Sequence, residues 1–431
     1  MQEEKQINNH PVVHPHYNVV DGEDFPNLIQ GEGIYVKDTF GNIYMDGISG
    51  LWNVSLGYNN SRINQAIYEQ LQKIPYINLG EYQNSTTIEL AKKILGLLPN
   101  SFKKLIYTSS GSESVELAVK IARQYQHLKG KKLKKDFVVL ENSYHGAYYA
   151  SMSASGTYQK VFEIFQPIVS GFHFLKSPFK CNIEQVLEET EKFIDKNYES
   201  LAGIILEPVI GSGGIITLPQ EYIELVEKKC KQYDILLIFD EVATGFGRTG
   251  KMFAFEHFGI EPDIICFSKG INSGYLPLAA LVFNTRVNNL FLKTKSPINH
   301  LSTQNGNPIA CAAGIATIDE LVENNMIEEV QQKGKKLIGY LQKHLEKYNV
   351  VADIRGEGLM VGIELRRNND IFEYSEIKDL IKKARKKGLI IYGFYSESYT
   401  SGLSLFPPFI ITESEIVKMV KIIEGLIKQS I

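Results

Sequence analysis

The sequence predicts an α/β fold, with a large, mostly parallel sheet flanked by helices and a smaller α+β unit after it. Three observations carry this expectation. Short apolar runs begin at Phe137 (FVVL), Ala202 (AGIILEPV), Ile235 (ILLIFDEV), Asp263 (DIICFS) and Leu278 (LAALVF), and helical stretches separate them. Uniformly apolar runs of that length are typical of strands covered on both faces. The chain has 431 residues, 44% hydrophobic and 22% charged, which is ordinary globular composition and long enough for two or three domains.

Each element has a local reason. Residues 1–30 are rich in His, Pro, Asn and Asp and read as an extended arm. From Gly33, GIYVKDTFGNIYMDGIS alternates apolar and polar residues around Phe40-Gly41-Asn42, a hairpin or meander pattern. The pattern turns helical from Asn64 to Gln72. From Ser112, SESVELAVKIARQYQHL places Val115, Leu117, Ala118, Ile121, Ala122 and Tyr125 on one broad helical face. The sheet runs follow. From about Asp319 the chain is charged and helical, VADIRGEGLMVGIEL from Val351 reads as two strands around a Gly-rich turn, and the tail reads as a helix.

Composition also excludes some functions. Lys and Arg total 46 against 49 Asp and Glu, a net charge of -3, which argues against a nucleic-acid footprint. The four cysteines, Cys181, Cys230, Cys266 and Cys311, form no CxxC pair, so a zinc ribbon or a thioredoxin-type motif is unsupported and no metal site is expected. Free thiols suit a reducing compartment. The polar N-terminus lacks the apolar segment of a signal peptide. No apolar run approaches the roughly 18 residues of a membrane helix. The expectation is a soluble cytoplasmic protein. The run KGKKLKK at Lys129–Lys135 reads as a solvated loop.

Ligands of open parallel sheets sit beyond the carboxyl ends of the strands, and four strand ends here are chemically suggestive. LIYTSSGSESVELA passes from a strand through small residues into a helix start. That is a phosphate-binding design, or simply a helix cap. Asp240 and Glu241 close an apolar strand, where a buried carboxylate needs a partner. That partner could be Mg²⁺, a protonated ring nitrogen of a cofactor, a salt bridge or a helix end. Lys269 follows another apolar strand. Burial there would lower its pKa and make it a usable amine nucleophile, unless it snorkels to solvent. Tyr144 and His145 follow a strand and meet Gly146, where an aromatic ring can stack on a planar ligand or merely pack. GFGRTGK, from Gly245 to Lys251, has the spacing of a nucleotide-binding P-loop. However, Met252 stands where a Mg²⁺-binding Ser or Thr is required, and the Asp strand precedes the loop.

Together these segments resemble the class III family of pyridoxal-5′-phosphate aminotransferases. The resemblance covers nearly the whole chain: DGISGLWNVSLGY, SSGSESVELAVKIAR, ENSYHGA, ILEPVIGSGG, LLIFDEVATGFGRTGKMFAFEHFGIEPDIICFSKG, TQNGNPIACAA, RGEGLMVGIEL and LFPPFII occur in the family's order. It implies a fold type I transferase with pyridoxal 5′-phosphate as cofactor and active sites at a homodimer interface. Residues 61–318 would form the large cofactor domain. Residues 1–60 would supply the arm and part of a small domain completed by residues 319–431. By the same resemblance, Lys269 bonds the cofactor aldehyde and later serves as the base, and Asp240 pairs with the pyridinium nitrogen. Val242 lies under the ring and Tyr144 stacks on its other face. Ser110, Gly111 and Ser112 hold the phosphate, with Thr303 reaching in from the partner subunit. His145 and Glu207 support the cofactor.

Departures from the family pattern bear on the substrate. The ornithine, acetylornithine and GABA branch usually carries Arg after His-Gly to grip a carboxylate. This chain has Ala147 there, which counts against 2-oxoglutarate. It has Ala243 where Gln is common. Trp52, Tyr17 and Tyr144 resemble the pocket of the ω-aminotransferases and of the 7,8-diaminopelargonate synthases. Both of those branches commonly hold a C-terminal Arg, yet no Arg follows Arg385. Tyr392 aligns loosely with that position. The expected substrates are a primary amine or ω-amino compound and a small 2-oxo acid, used in ping-pong order. Diaminopelargonate synthesis and amino-acid racemisation are the alternatives.

Overall fold

The computed structural model describes residues 12–15, 25–368, 370–396 and 399–429. Its centre is a seven-stranded sheet in the order Phe102–Thr108, Ala279–Asn284, Ile264–Phe267, Leu236–Asp240, Leu201–Leu206, Asp136–Leu140 and Phe172–Leu175. The strand Ala279–Asn284 runs antiparallel to both of its neighbours, while the pairings from Ile264–Phe267 out to Phe172–Leu175 are parallel. The run at Leu278 is therefore the exception to the parallel reading.

Alternation along the strands explains why both faces must be covered. Phe137, Val139, Ile205, Leu236 and Ile238 pack with Val115, Ile121 and Tyr125 of the helix Gly111–Leu128. Their sequence neighbours Val138, Leu140, Leu206, Leu237 and Phe239 belong to the opposite core, with Ile223, Val226 and Cys230 of the helix Gln220–Tyr233. With both faces buried, no polar alternation survives in the sequence. The predicted face of the Gly111–Leu128 helix is buried throughout.

The two chain ends meet. Tyr35–Asp38 and Ile43–Asp46 form the expected hairpin, whose turn is held by the Asp38 carboxylate accepting from the Phe40 and Asn42 backbone. Leu389–Ile390 then pairs in parallel with Met45 and Asp46. The part of the arm at Leu28–Glu32 is a strand paired with Tyr35–Asp38, not free chain. Val351–Glu357 and Met360–Arg367 form the expected pair, joined by Thr400–Leu405 and Tyr392–Ser396 in an antiparallel sheet. The charged helical region splits into Pro308–Glu323 and Met326–Leu345, broken by Asn325 at φ 52°. Asn accepts that left-handed conformation more readily than most residues.

The lysine run 129–135 is the exposed loop expected of it except at Lys134. Lys129 and Lys131 bond to Asp234, and Lys134 is buried with its ammonium on the Tyr233 carbonyl. Burial pushes Lys134 down to about 8. The GFGRTGK loop is structural. Arg248 is buried and donates to the carbonyls of Leu359 and Pro407 (3.0 and 2.8 Å) and to Ser49 Oγ, so it ties residues from both chain ends together. Among the described residues no helix is long and apolar enough to cross a membrane.

Candidate active site

Five strand ends converge at one edge of the large sheet. Asp240 ends its strand beside Cys266, and Lys269 follows three residues after that partner on the adjacent strand. The turn 109–111 leaves Phe102–Thr108 on the same side. Tyr144 and His145 follow Asp136–Leu140, and Glu207 follows Leu201–Leu206. The antiparallel strand Ala279–Asn284 sits between Phe102–Thr108 and Ile264–Phe267, so its amino end faces this edge. It separates the small-residue turn from Lys269 by one strand width, about 5 Å on each side.

Lys269 is largely buried and holds φ 42°, a left-handed conformation that is costly for a side-chain-bearing residue. Its ammonium lies 5.0 Å from the centre of the Trp52 ring system. Burial lowers its pKa, while the Asp240 and Glu207 carboxylates oppose that shift. The amine is thus shifted toward its neutral, nucleophilic form.

Asp240 is buried and fixed from two sides. Its Oδ2 accepts from His145 Nδ1 at 2.8 Å and its Oδ1 accepts from the Val242 amide at 3.1 Å. His145 Nε2 is buried and has no partner among the described residues. Glu207 accepts from the Tyr144 amide (2.8 Å) and the Gly211 amide (3.0 Å), so it shapes two loops at once. Burial pushes Glu207 up to about 7, with Asp240 adding to the rise. Burial, Asp240 and Glu207 together raise the Tyr144 phenol.

Asp240 and its neighbour Glu241 point to opposite fates. Glu241 is fully buried and accepts from the Ala254 and Phe255 amides and from Thr244 Oγ1. It caps the short helix Ala254–His257, the bland reading that the sequence left open for this pair.

At the small-residue turn, Ser110 Oγ accepts from the Glu113 amide and caps the helix Gly111–Leu128. A Cβ on Gly111 would meet Val242 Cγ1 at 2.6 Å, so only glycine allows the turn and Val242 to approach this closely. Ser112 Oγ accepts from the Ala147 amide at 3.0 Å, and a Cβ on Gly146 would strike that same oxygen. The turn and the Tyr144–Ala147 segment are thus closed on each other.

Trp52, the ring facing the amine, belongs to a larger aromatic group. Trp52 stacks on Phe406 at 4.3 Å and meets Tyr392 edge-on at 6.2 Å. Its Nε1 is buried without a partner among the described residues. Tyr144 meets Tyr158 edge-on at 6.2 Å. Ala147 is exposed, as is Thr303, whose loop lies beside Ser109 of the same chain. Tyr17 lies outside the described residues. Sequence reasoning did not find Phe406, Tyr158, Glu113 or Arg248. Of these only Glu113 carried a local signal, the Ser-x-x-Glu spacing from Ser110.

The residues fit pyridoxal 5′-phosphate. A desolvated lysine suits its aldehyde, a fixed buried carboxylate suits its ring nitrogen, and a glycine-serine turn at a helix N-terminus suits its phosphate. Fold and site thus define a pyridoxal-phosphate-dependent transferase of fold type I. The chain matches the Aminotransferase class-III model over residues 19–427 and belongs to that family of enzymes, with pyridoxal 5′-phosphate as cofactor. It is 34% identical to the adenosylmethionine-8-amino-7-oxononanoate aminotransferase of Staphylococcus aureus, covering 98% of this chain and 96% of that one. It is 36% identical to the acetylornithine aminotransferase of Caldanaerobacter subterraneus subsp. tengcongensis, covering 93% and 94%. An amine transaminase from an uncultivated Pseudomonas species, solved in its PLP-bound form, superposes with a TM-score of 0.92 at 29% identity, covering 98% and 100%.

Proposed function

We propose that this aminotransferase moves an amino group from a primary amine or ω-amino compound to a small, pyruvate-like 2-oxo acid, with ping-pong kinetics. The observation that carries the reading is the surroundings of Lys269. The amine lies over Trp52, which packs against Phe406 and Tyr392. Apolar rings favour a substrate body of alkyl or aryl character. Ala147 offers no charge to a second carboxylate.

When bound, pyridoxal phosphate supplies an electron sink conjugated to the substrate carbon that bears the nitrogen. The chain does the rest. Asp240, held by His145 and the Val242 amide, is oriented to meet the ring nitrogen. Val242 and Tyr144 would cover the two ring faces. Ser110, Gly111 and Ser112 would hold the phosphate, helped by Thr303 of a second subunit. Glu207 keeps the Tyr144 and Gly211 loops in place. Lys269 Nζ, shifted toward neutrality by burial, takes the proton from the substrate carbon.

A second reading, diaminopelargonate synthesis, is favoured by the Staphylococcus aureus relative. The test adds single donors to the yellow, cofactor-loaded enzyme: a diamine, β-alanine, an aromatic amine, lysine and S-adenosylmethionine. Bleaching by an amine or ω-amino compound, reversed by pyruvate, supports the proposal. Bleaching by S-adenosylmethionine or lysine alone moves the assignment to the second reading. A spectral change that no donor carries through to bleaching sinks amino transfer and leaves racemisation.

A further inference from the structure

The exposed loop that carries Thr303 is not loosely attached. His300, just before it, places Nε2 2.9 Å from Glu113 Oε1 and Nδ1 3.3 Å from Lys120 Nζ. An ammonium can only donate, so Nδ1 accepts, and the ring proton on Nε2 is donated to Glu113. Lys120 also donates to the Asn299 carbonyl at 2.8 Å. On its other oxygen, Glu113 accepts from the Ser109 amide at 2.8 Å. Ser109 Oγ in turn reaches Asn305 Oδ1 at 3.2 Å and Ser302 Oγ at 3.3 Å, one residue from Thr303 on the loop. The Glu113 and His300 side chains are only 8% and 14% exposed, so solvent competes weakly for these bonds.

These links have a common result. The turn 109–112 and the 301–306 loop are fixed to each other through Glu113, although nearly 190 residues of sequence separate them. Neither His300 nor Glu113 belongs to the set of side chains that would touch the cofactor. A helix cap alone would need only Ser110 and Glu113. The additional His300 and Lys120 contacts serve the loop, not the helix.

We propose that His300 and Glu113 are positioning residues for the cofactor phosphate, joining the phosphate turn of a subunit to the loop that presents Thr303. The proposal rests on the functional reading above, in which the turn and Thr303 hold phosphate across a two-subunit site. Its mechanism is preorganisation: the loop is held in one place before the cofactor arrives, so less conformational freedom is lost on binding.

The experiment measures release of pyridoxal phosphate from the holoenzyme, followed by loss of its absorbance during dilution, for wild type, His300→Ala, His300→Gln and Thr303→Ala. Loss of one hydrogen bond to a charged group predicts release roughly tenfold to a hundredfold easier in His300→Ala. Glutamine keeps an N–H donor for Glu113, so His300→Gln should stay near wild type. Urea unfolding of the cofactor-stripped proteins should show His300→Ala folded and lowered by no more than this one hydrogen bond, with His300→Gln restoring the midpoint. Wild-type retention in His300→Ala overturns the proposal. So does equal loss in Ala and Gln variants that tracks lower stability, which would make the contact merely structural. Thr303→Ala separates the two layers. If it weakens retention and His300→Ala does not, positioning alone fails. If Thr303→Ala changes nothing, the shared phosphate site itself fails.

Discussion

Glu241 and Asp240 are adjacent in sequence, yet truncating them should have opposite consequences. Glu241→Ala removes the acceptor of two backbone amides, Ala254 and Phe255, both in buried residues, and of the Thr244 hydroxyl. Each buried donor left unsatisfied costs about 1–3 kcal/mol, so the two amides alone predict a loss of roughly 2–6 kcal/mol. That is a large share of the ~5–15 kcal/mol that stabilises a typical domain. The assay is urea unfolding at about pH 5 of the cofactor-loaded and stripped proteins, below the raised Glu241 value, where a much lower midpoint is expected in both forms. Asp240→Asn keeps its volume and one oxygen acceptor, so its midpoint should stay close to wild type. Its turnover should fall at least roughly tenfold, the value of one charge-assisted hydrogen bond. An unaltered midpoint in Glu241→Ala refutes the scaffold assignment. Lost cofactor binding at unaltered stability would move Glu241 into the site.

Other outcomes follow from the same geometry. Lys269→Ala should leave the fold intact and lower turnover by a factor of about 10²–10⁴ or more, the contribution of a positioned base. Circular dichroism and steady-state rates check both halves. Ala147→Arg should raise the kcat/KM ratio for 2-oxoglutarate over pyruvate by about tenfold or more, through a charged contact to the second carboxylate. An unchanged ratio would count against Ala147 as the position that sets acceptor choice. The stripped protein should also show a signed pH dependence. Glu207 and Glu241 rise from 4.5 to about 7, so the folded state holds extra protons between those values. Stability should therefore fall as pH rises through that window and level off above it. Glu364, paired with Arg355, Arg366 and Lys180, is lowered to about 2, and its contribution is present above pH 4.5 and lost as pH falls through about 2. Wild type should lose stability relative to Glu241→Gln as pH rises from about 5 to about 7. A wild type that gains stability relative to the variant over that range would contradict the sign.

What was legible in the sequence was whatever local periodicity or turn chemistry dictates. The hairpin at Phe40-Gly41-Asn42 and the buried face of Gly111–Leu128 follow from patterns of two and of 3.6 residues. The central strands were readable because burial on both faces leaves nothing polar in them. The edge strand Phe172–Leu175 escaped notice because it is short and only half-buried. The direction of Ala279–Asn284 was not readable either, since an apolar run looks the same in both directions. Within the site, the strand-end residues were legible as carboxylate, amine and small-residue turn. Their partners were not. His145 on Asp240, Phe406 under Trp52 and His300 on Glu113 are joined across 95, 354 and 187 residues respectively, and no local rule links such positions.

Arg248 shows why a motif needs its surroundings before it acquires a role. GFGRTGK has a phosphate loop's spacing, yet Arg248 is turned inward, over Phe409 at 4.6 Å and onto three acceptors from residues 49, 359 and 407. Burial pushes its guanidinium down to about 9. A phosphate-binding cation must be accessible, and this one is not. Ser49 precedes Trp52 by three residues, and Pro407 follows Phe406, the ring on which Trp52 stacks. The same arginine therefore fixes the backbone on both sides of the Trp52–Phe406 pair and, through it, the wall beside Lys269. The glycines of the motif serve this packing as well: a Cβ on Gly247 would collide with Ile327 Cδ1 at 2.6 Å. In this chain a sequence that resembles a nucleotide loop is explained by the need to hold both chain ends against the cofactor-binding sheet.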